Sequence, residues 1–261
     1  MLITLTTDFG LRDGYPGVMK GVMAGINPEA VFIDLSHEIG PGNIREAACL
    51  LRNSCRWFPQ GTIHLAVVDP GVGSGRRALI MRSGGYYFVG PDNGIFTGFF
   101  QEAKRVVSIT EQKFTFPSIE GRTFDGRDVF APAAAWLSKG GFEMREFGPE
   151  LKVEHLVRLP LPEAAMEDGR IRGEIVHIDR FGNCITNIGA GLLAKLKAQK
   201  AGPLRAEIKG QTLGMVNFYA EGAGGLPHAV ADSNGFLEIF IYMGNARSKL
   251  NAGVGDPVEV F

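Results

Sequence analysis

Between residues 2 and 68, short apolar runs alternate with stretches of helical spacing, and this alternation restricts the fold more than any other feature of the chain. Leu2 to Thr7, Val31 to Leu35 and Ile63 to Val68 are too short for core helices and rich in aliphatic and β-branched residues, so they read as strands. Gly17 to Ile26 has a helix-like pattern. Ile44 to Phe58 carries apolar residues at helical spacing, with Asn43 placed to cap it. Strand, helix, strand, helix, strand implies right-handed crossovers and a mostly parallel sheet flanked by helices. Ala78–Met81 and Tyr86–Val89 read as a β pair around Ser83-Gly84-Gly85, and Val129 to Leu137 as a further helix.

The pattern changes near residue 158, where Arg158-Leu159-Pro160-Leu161-Pro162 and the segment through Gly169 resemble a linker. Beyond it, Ile171 to Ile178, Leu204 to Ile208, Phe236 to Tyr242 and Pro257 to Phe261 are short alternating segments separated by Gly, Asn and Pro. These predict a smaller antiparallel β-domain, a barrel or sandwich. The expected organisation is therefore an α/β domain over residues 1–160, a linker at about 158–169 and a β-domain over 170–261. A chain of 261 residues is long enough for two such cores.

Charge narrows the partners. With 27 basic and 28 acidic side chains the formal net charge is -1, which gives no field to attract nucleic acid or an anionic membrane. The start, Met1-Leu2-Ile3-Thr4-Leu5, lacks a basic leader, and its apolar run is too short for a signal peptide or membrane span. The three cysteines, Cys49, Cys55 and Cys184, fit a reducing compartment and buried packing roles. A cytoplasmic location is expected. His64, His155, His177 and His228 are scattered without metal-ligand spacing, so no metal site is predicted.

Parallel sheets bind ligands beyond the carboxyl ends of their strands. Here three successive strands run into loops carrying Asp8 and Asp13, then Ser36-His37-Glu38, then Asp69. Asp8 and Asp13 fit either a sugar diol or ordinary turn and cap chemistry. A carboxylate at the mouth of a buried strand, such as Asp69, is partly desolvated and calls for a nearby cation. Arg76, seven residues on across a glycine turn, fits that need, either to orient a water or as a structural ion pair. The loop Asp69-Pro70-Gly71-Val72-Gly73-Ser74-Gly75-Arg76 lacks both the GxGxxG spacing and a P-loop Lys-Ser/Thr, and the chain has no GxSxG elbow. Pro91-Asp92-Asn93-Gly94 reads first as a turn. Asp128 and Arg127 have a capping or pairing explanation, whereas Asp125 in its Gly-flanked turn has none. Asp179 with Asn183 fits recognition of an amino acid's ammonium and carboxylate, or a hairpin turn.

Together these segments resemble a known family. The matches are Thr7-Asp8-Phe9-Gly10 with Asp13, Ser36-His37-Glu38-Ile39, Val68 through Ser74 with Arg76, Pro91-Asp92-Asn93-Gly94, Thr123-Phe124 through Asp128, Asp179 with Phe181-Gly182-Asn183, and Ser233-Asn234-Gly235 with Asn245-Ala246. The chain resembles the S-adenosyl-L-methionine hydroxide adenosyltransferases, the DUF62 family related to the fluorinase and chlorinase. The resemblance spans both domains. It implies attack of water or hydroxide on ribose C5′ of S-adenosylmethionine, giving adenosine and L-methionine, with no cofactor. It also implies a homotrimer whose sites join the N-terminal domain of one subunit to the C-terminal domain of the next.

By position, the resemblance assigns the ribose diol to Asp13 with Asp8 in support, and the sulfonium end to Thr123. It assigns the methionine moiety to Asp179, Asn183 and Ser233. Phe181, Asn245 and Ala246 would enclose adenine, with Tyr219 stacking on it. Asp69 and Arg76 match two of the three residues that position water in the family's hydrolases. The third is a histidine in the family pattern Phe-His-Gly-Arg-Asp, and here it is Asp125. Either Asp125 accepts a hydrogen bond from the water in place of the imidazole, or two carboxylates share a proton beside one Arg. The added negative charge favours a cationic sulfonium over a halide, and Gly126 stands where the fluorinase has a serine. A non-catalytic binder of adenosine or S-adenosylmethionine, or a halide-using adenosyltransferase, remains an alternative.

Overall fold

The computed structural model describes residues 1–116 and 123–261. The chain divides into two compact units, Met1–Leu159 and Pro160–Phe261.

In the first unit, β1 (Leu2–Thr7), α1 (Tyr15–Ile26), β2 (Val31–Ser36), α2 (Ile44–Ser54) and β3 (Ile63–Val67) follow one another as the hydrophobic pattern predicts. β4 (Ala78–Ser83) and β5 (Tyr86–Pro91) form the expected antiparallel pair, and β6 (Ala103–Ser108) adds an edge. The sheet order is β2-β1-β3-β5-β4-β6. β1 pairs in parallel with β2 and β3, and β3 with β5; β4 alone runs against its neighbours. β3 is buried along its whole length, which explains its unbroken apolar run. Asn43 caps α2 by accepting from Glu46 N, and the helix stops at Ser54 before a short 3-10 turn, Cys55–Trp57.

α3 (Ala131–Lys139) packs with α1 on one face of the sheet, around Ile3, Leu5, Met19, Met23, Leu65 and Phe130. α2 packs on the other face, where Ala47 and Leu51 meet Ala66, Met81 and Phe88. His64 is buried there, bonded through Nδ1 to Thr4 Oγ1 at 2.8 Å, and burial pulls its pKa down to about 4, so it sits in the core as a neutral ring. Because β1, β2 and β3 are parallel, the loops leaving Thr7, Ser36 and Val67 lie at one edge of the sheet.

The second unit contains β7 (Ala165–Glu167), β8 (Arg170–Ile178), β9 (Cys184–Gly189), α4 (Ala190–Gln199), β10 (Arg205–Ile208), β11 (Gln211–Val216), β12 (Pro227–Ala231), β13 (Phe236–Ile241), α5 (Ala246–Leu250) and β14 (Pro257–Val260). The strands close into a barrel, β8-β14-β10-β11-β12-β13-β9 and back to β8, with β7 added outside on β8. The barrel is not antiparallel throughout. β11 and β12 pair in parallel, because residues 217–226 cross over through a 3-10 turn instead of folding back as a hairpin. Ile171, Ile175, Ile188, Leu237, Ile239 and Val258 fill the core. Among the described residues no helix is long and apolar enough to cross a membrane.

Candidate active site

The strand exit after β3 carries Asp69. Its loop is folded by Val72 N donating to Asp69 O at 3.2 Å and Ser74 N donating to Gly71 O at 3.1 Å. Asn93 Nδ2 donates to Val68 O at 2.8 Å and fixes the root of the loop. The glycine turn brings Arg76 back over Asp69, as the spacing predicts. Arg76 Nε reaches Asp69 Oδ1 at 3.0 Å and Oδ2 at 2.8 Å, and Nη2 also donates to Oδ2. The same Nη2 donates to Asp125 Oδ2 at 2.6 Å. These three side chains are 9%, 5% and 4% exposed, so two acids share one guanidinium away from bulk water. Burial alone would lower the Arg76 pKa; Asp69 first, and Asp125 second, reverse this and hold it above its ordinary value. The Phe130 ring lies under the guanidinium, 5.0 Å from Cζ.

Asp125 reaches this position from a different element. It precedes one turn of π-helix, Gly126–Phe130, that runs directly into α3. The wider π turn begins the helix earlier than the predicted Val129 and buries both Asp125 and Asp128. Asp128 is taken up by Arg127, with Nε–Oδ1 at 2.6 Å and Nη2–Oδ2 at 2.9 Å, the bland pairing foreseen for it. A Cβ on Gly126 would lie 2.9 Å from the Phe124 ring, which leaves no room for the serine of the fluorinase pattern without displacing that ring.

At the same sheet edge, Asp8 Oδ2 accepts from Gly42 N at 2.7 Å, tying the β1 exit to the loop before α2. Asp13 and Thr123 are exposed. His37 is buried beneath the Asp8 loop. Asp92 is structural: it accepts from Arg77 Nε at 2.8 Å and from Val157 N at 2.9 Å.

In the second unit, Asp179 organises the turn after β8. Its Oδ1 accepts from Phe181 N at 2.9 Å and Asn183 N at 2.8 Å, and its Oδ2 from Asn183 Nδ2 at 3.1 Å. The turn reading of this pair is realised, since the acid and amide hold the turn itself. The turn presents Phe181, 73% exposed. Gly182 has φ +83° and would place a Cβ inside the Asn245 carboxamide; its carbonyl accepts from Arg247 N at 2.9 Å. Asn245 caps α5 through Ser248 N at 2.8 Å, and Ala246 is fully buried. Gly182→Ala is expected to destabilise the protein by about 2 kcal/mol through backbone strain and overpacking, seen as a lowered thermal unfolding midpoint.

Ser233 is exposed at the turn between β12 and β13, where Asp232 Oδ1 accepts from Asn234 N at 2.9 Å and Phe236 N at 2.8 Å. Tyr219 does not offer a free hydroxyl: it donates to Glu238 Oε1 at 2.7 Å, with its ring edge-on to Phe240 at 4.8 Å. Burial, and then the charges of Asp179 and Asp232, hold the Glu238 carboxyl above its ordinary pKa despite the Tyr219 bond. Sequence reasoning missed Glu238, Lys20 and Asp34. The signal was present for two of them, since Glu238 and Asp34 each interrupt an apolar strand. Among the described residues no cluster of His, Cys, Asp and Glu could hold a metal ion.

Residues 3–148 match the SAM hydroxide adenosyltransferase N-terminal domain, and residues 173–259 match the C-terminal domain of the same name. The chain is 38% identical to an (R)-S-adenosyl-L-methionine hydrolase of Thermus thermophilus, with 97% of each chain covered. It is 35% identical to another from Methanocaldococcus jannaschii, covering 99% of this chain and 95% of that one. A fluorinase from an Actinoplanes species is more distant, at 27% identity over 72% of this chain and 71% of its own. Among solved structures, an uncharacterized conserved protein from Thermotoga maritima superposes with a TM-score of 0.92 at 34% identity, covering 100% of this chain and 99% of that one.

Proposed function

The chain belongs to the SAM hydroxide adenosyltransferase family, and from that premise we infer that it hydrolyses S-adenosyl-L-methionine to adenosine and L-methionine. The observation that carries this reading is the buried Asp69–Arg76–Asp125 group at the carboxyl edge of the sheet. A water held by the two carboxylates lies with its lone pair directed at ribose C5′. As the O–C5′ bond forms, the C5′–S bond breaks, and methionine leaves as a neutral thioether carrying the electron pair of the broken bond. The water's proton passes to a carboxylate of the pair. Arg76 keeps both acids in place and balances one of their charges. The sulfonium is already a good leaving group, so the enzyme's contribution is orientation, which is worth several kcal/mol when the attack is in line, on the order of 7–11 kcal/mol at the limit. The reading calls for no cofactor.

Asp13 and Asp8 take the ribose diol, and Thr123 stands near the sulfonium. Asp179, Asn183 and Ser233 receive the methionine end, while Phe181, Asn245, the Ala246 backbone and Tyr219 receive adenine. The assembly is a homotrimer in which one subunit's N-terminal half and the next subunit's C-terminal half serve the same substrate, and the compartment is the cytoplasm. The balance of two acids against one Arg supports water over halide as nucleophile. Incubation with S-adenosylmethionine, followed by chromatography, is expected to give adenosine and methionine in equal amounts. Tight binding without products would make the protein a binder, and 5′-chloroadenosine in the presence of chloride would make it a halide-using transferase. Light scattering in solution tests the trimer.

A further inference from the structure

We propose that His37 is a positioning residue for the loop of residues 8–14, acting through Thr7 at one end of that loop and through Asp34 and Lys20 at the other. The inference rests on the reading that Asp8 and Asp13 on this loop hold the ribose diol. The loop is held at its start by Asp8 Oδ2, which accepts from Gly42 N at 2.7 Å, and by the Phe9 ring, 5.8 Å from Tyr15 and 5.6 Å from Phe124. It turns at Gly10, with φ +67°, and Leu11 at its tip is 70% exposed. Its placement depends on its anchors.

A further set of anchors meets at His37, through its ring and through its backbone carbonyl. His37 Nδ1 lies 2.8 Å from Thr7 Oγ1, the last residue of β1, and both are buried. His37 O accepts from Gly10 N at 2.7 Å, inside the loop. On its other side the ring's Nε2 comes within 3.0 Å of Asp34 Oδ1, at a skewed angle. Asp34 Oδ2 in turn accepts from Lys20 Nζ at 2.6 Å, and Lys20 stands in α1, the helix into which the loop runs.

Phe9 N donates to Thr7 Oγ1 at 3.3 Å, so the Thr7 hydroxyl joins the loop's backbone to the His37 ring. In the tautomer with the ring hydrogen on Nε2, Nδ1 accepts from the Thr7 hydroxyl and Nε2–H faces the Asp34 carboxylate. Desolvation would raise the Asp34 pKa, but Lys20 and His37 outweigh it and hold that carboxyl below its ordinary value, so the network keeps a charge at its outer end. With its side chain 1% exposed, His37 does not meet substrate and acts only through the loop.

The test compares binding of adenosine with that of 2′,3′-dideoxyadenosine, by calorimetry, in the wild-type protein and in His37→Leu, His37→Asn and Thr7→Val. The wild type is expected to prefer adenosine. His37→Leu and Thr7→Val are expected to lose that preference about tenfold, with the dideoxy compound bound within about twofold of wild type. His37→Asn, whose carboxamide oxygen still accepts from Thr7, is expected to recover most of the preference. Thr7→Val conserves shape but also removes the acceptor of Phe9 N, so His37→Asn, which leaves that bond in place, keeps the test decisive should His37→Leu fail to fold. An adenosine preference unchanged in Thr7→Val and His37→Leu overturns the proposal, as does an equal loss of both ligands with a lowered unfolding midpoint, which marks a merely structural role. A wild type that binds both nucleosides alike overturns the diol reading instead.

Discussion

Arg76→Ala is expected to reduce turnover of S-adenosylmethionine by on the order of 10³-fold, and to destabilise the first unit by about 3–5 kcal/mol. Both effects come from the same geometry. Arg76 is the cation shared by two acids that are 5% and 4% exposed. Without it, two carboxylates face one another in a site that water cannot screen, and neither keeps its direction. Arg76→Lys separates the effects. An ammonium restores a positive charge, but it cannot span both oxygens of Asp69 and reach Asp125 as the planar fork does. Lysine should therefore recover stability without recovering rate. Thermal unfolding and product chromatography measure the two quantities independently. An alanine variant that turns over within tenfold of wild type would remove this group from the mechanism.

Asp125→Ala is expected to lower kcat about 10²-fold, and Asp125→His to bring it back to within about tenfold of wild type. The alanine removes a group that both restrains Arg76 and accepts from the water. Histidine supplies an acceptor at the position where the resembled hydrolases carry one. The formal charge of the group then changes from two acids against one Arg to one against one. Less negative charge attracts a cationic sulfonium less, so KM for S-adenosylmethionine should rise severalfold in Asp125→His even as kcat recovers. Steady-state kinetics resolves the two constants. Loss of activity in both variants would show that the site has been rebuilt around this carboxylate.

The parts of the fold with a strong period were legible in the sequence. β1, β2 and β3 match their apolar runs, and Asn43 caps α2 as its side chain suggested. The Asp69–Arg76 pair followed from a buried strand end and a glycine turn of the right length. What stayed hidden depends on tertiary packing. β6 begins with Ala103-Lys104-Arg105, of which both cations are exposed, and only its second half is buried against β4. α4 starts at Ala190-Gly191, a poor helix opening, and is secured by burying Leu193 and Leu196 in the barrel core. The parallel pairing of β11 with β12 leaves no mark on either strand, because direction is decided by the path of the chain between them. In the site, spacing placed Asp69 near Arg76, but nothing in the spacing brought Asp125, 49 residues further on than Arg76, to the same nitrogen. The π turn that does so is a property of the packed helix.

The closure of β8 on β14 also sets an order in time. During synthesis, β1, β2 and β3 can pair as soon as their crossovers have formed, because each new strand lies beside one already made. The barrel cannot follow that schedule. Its first ring strand, Arg170–Ile178, waits for Pro257–Val260 before its open edge is covered. Until then the nascent second unit exposes an unpaired strand and an apolar interior, the condition under which chains aggregate or recruit chaperones. The first unit should thus become resistant to protease while the second is still being translated, with native protection of the second arriving only after its last strand.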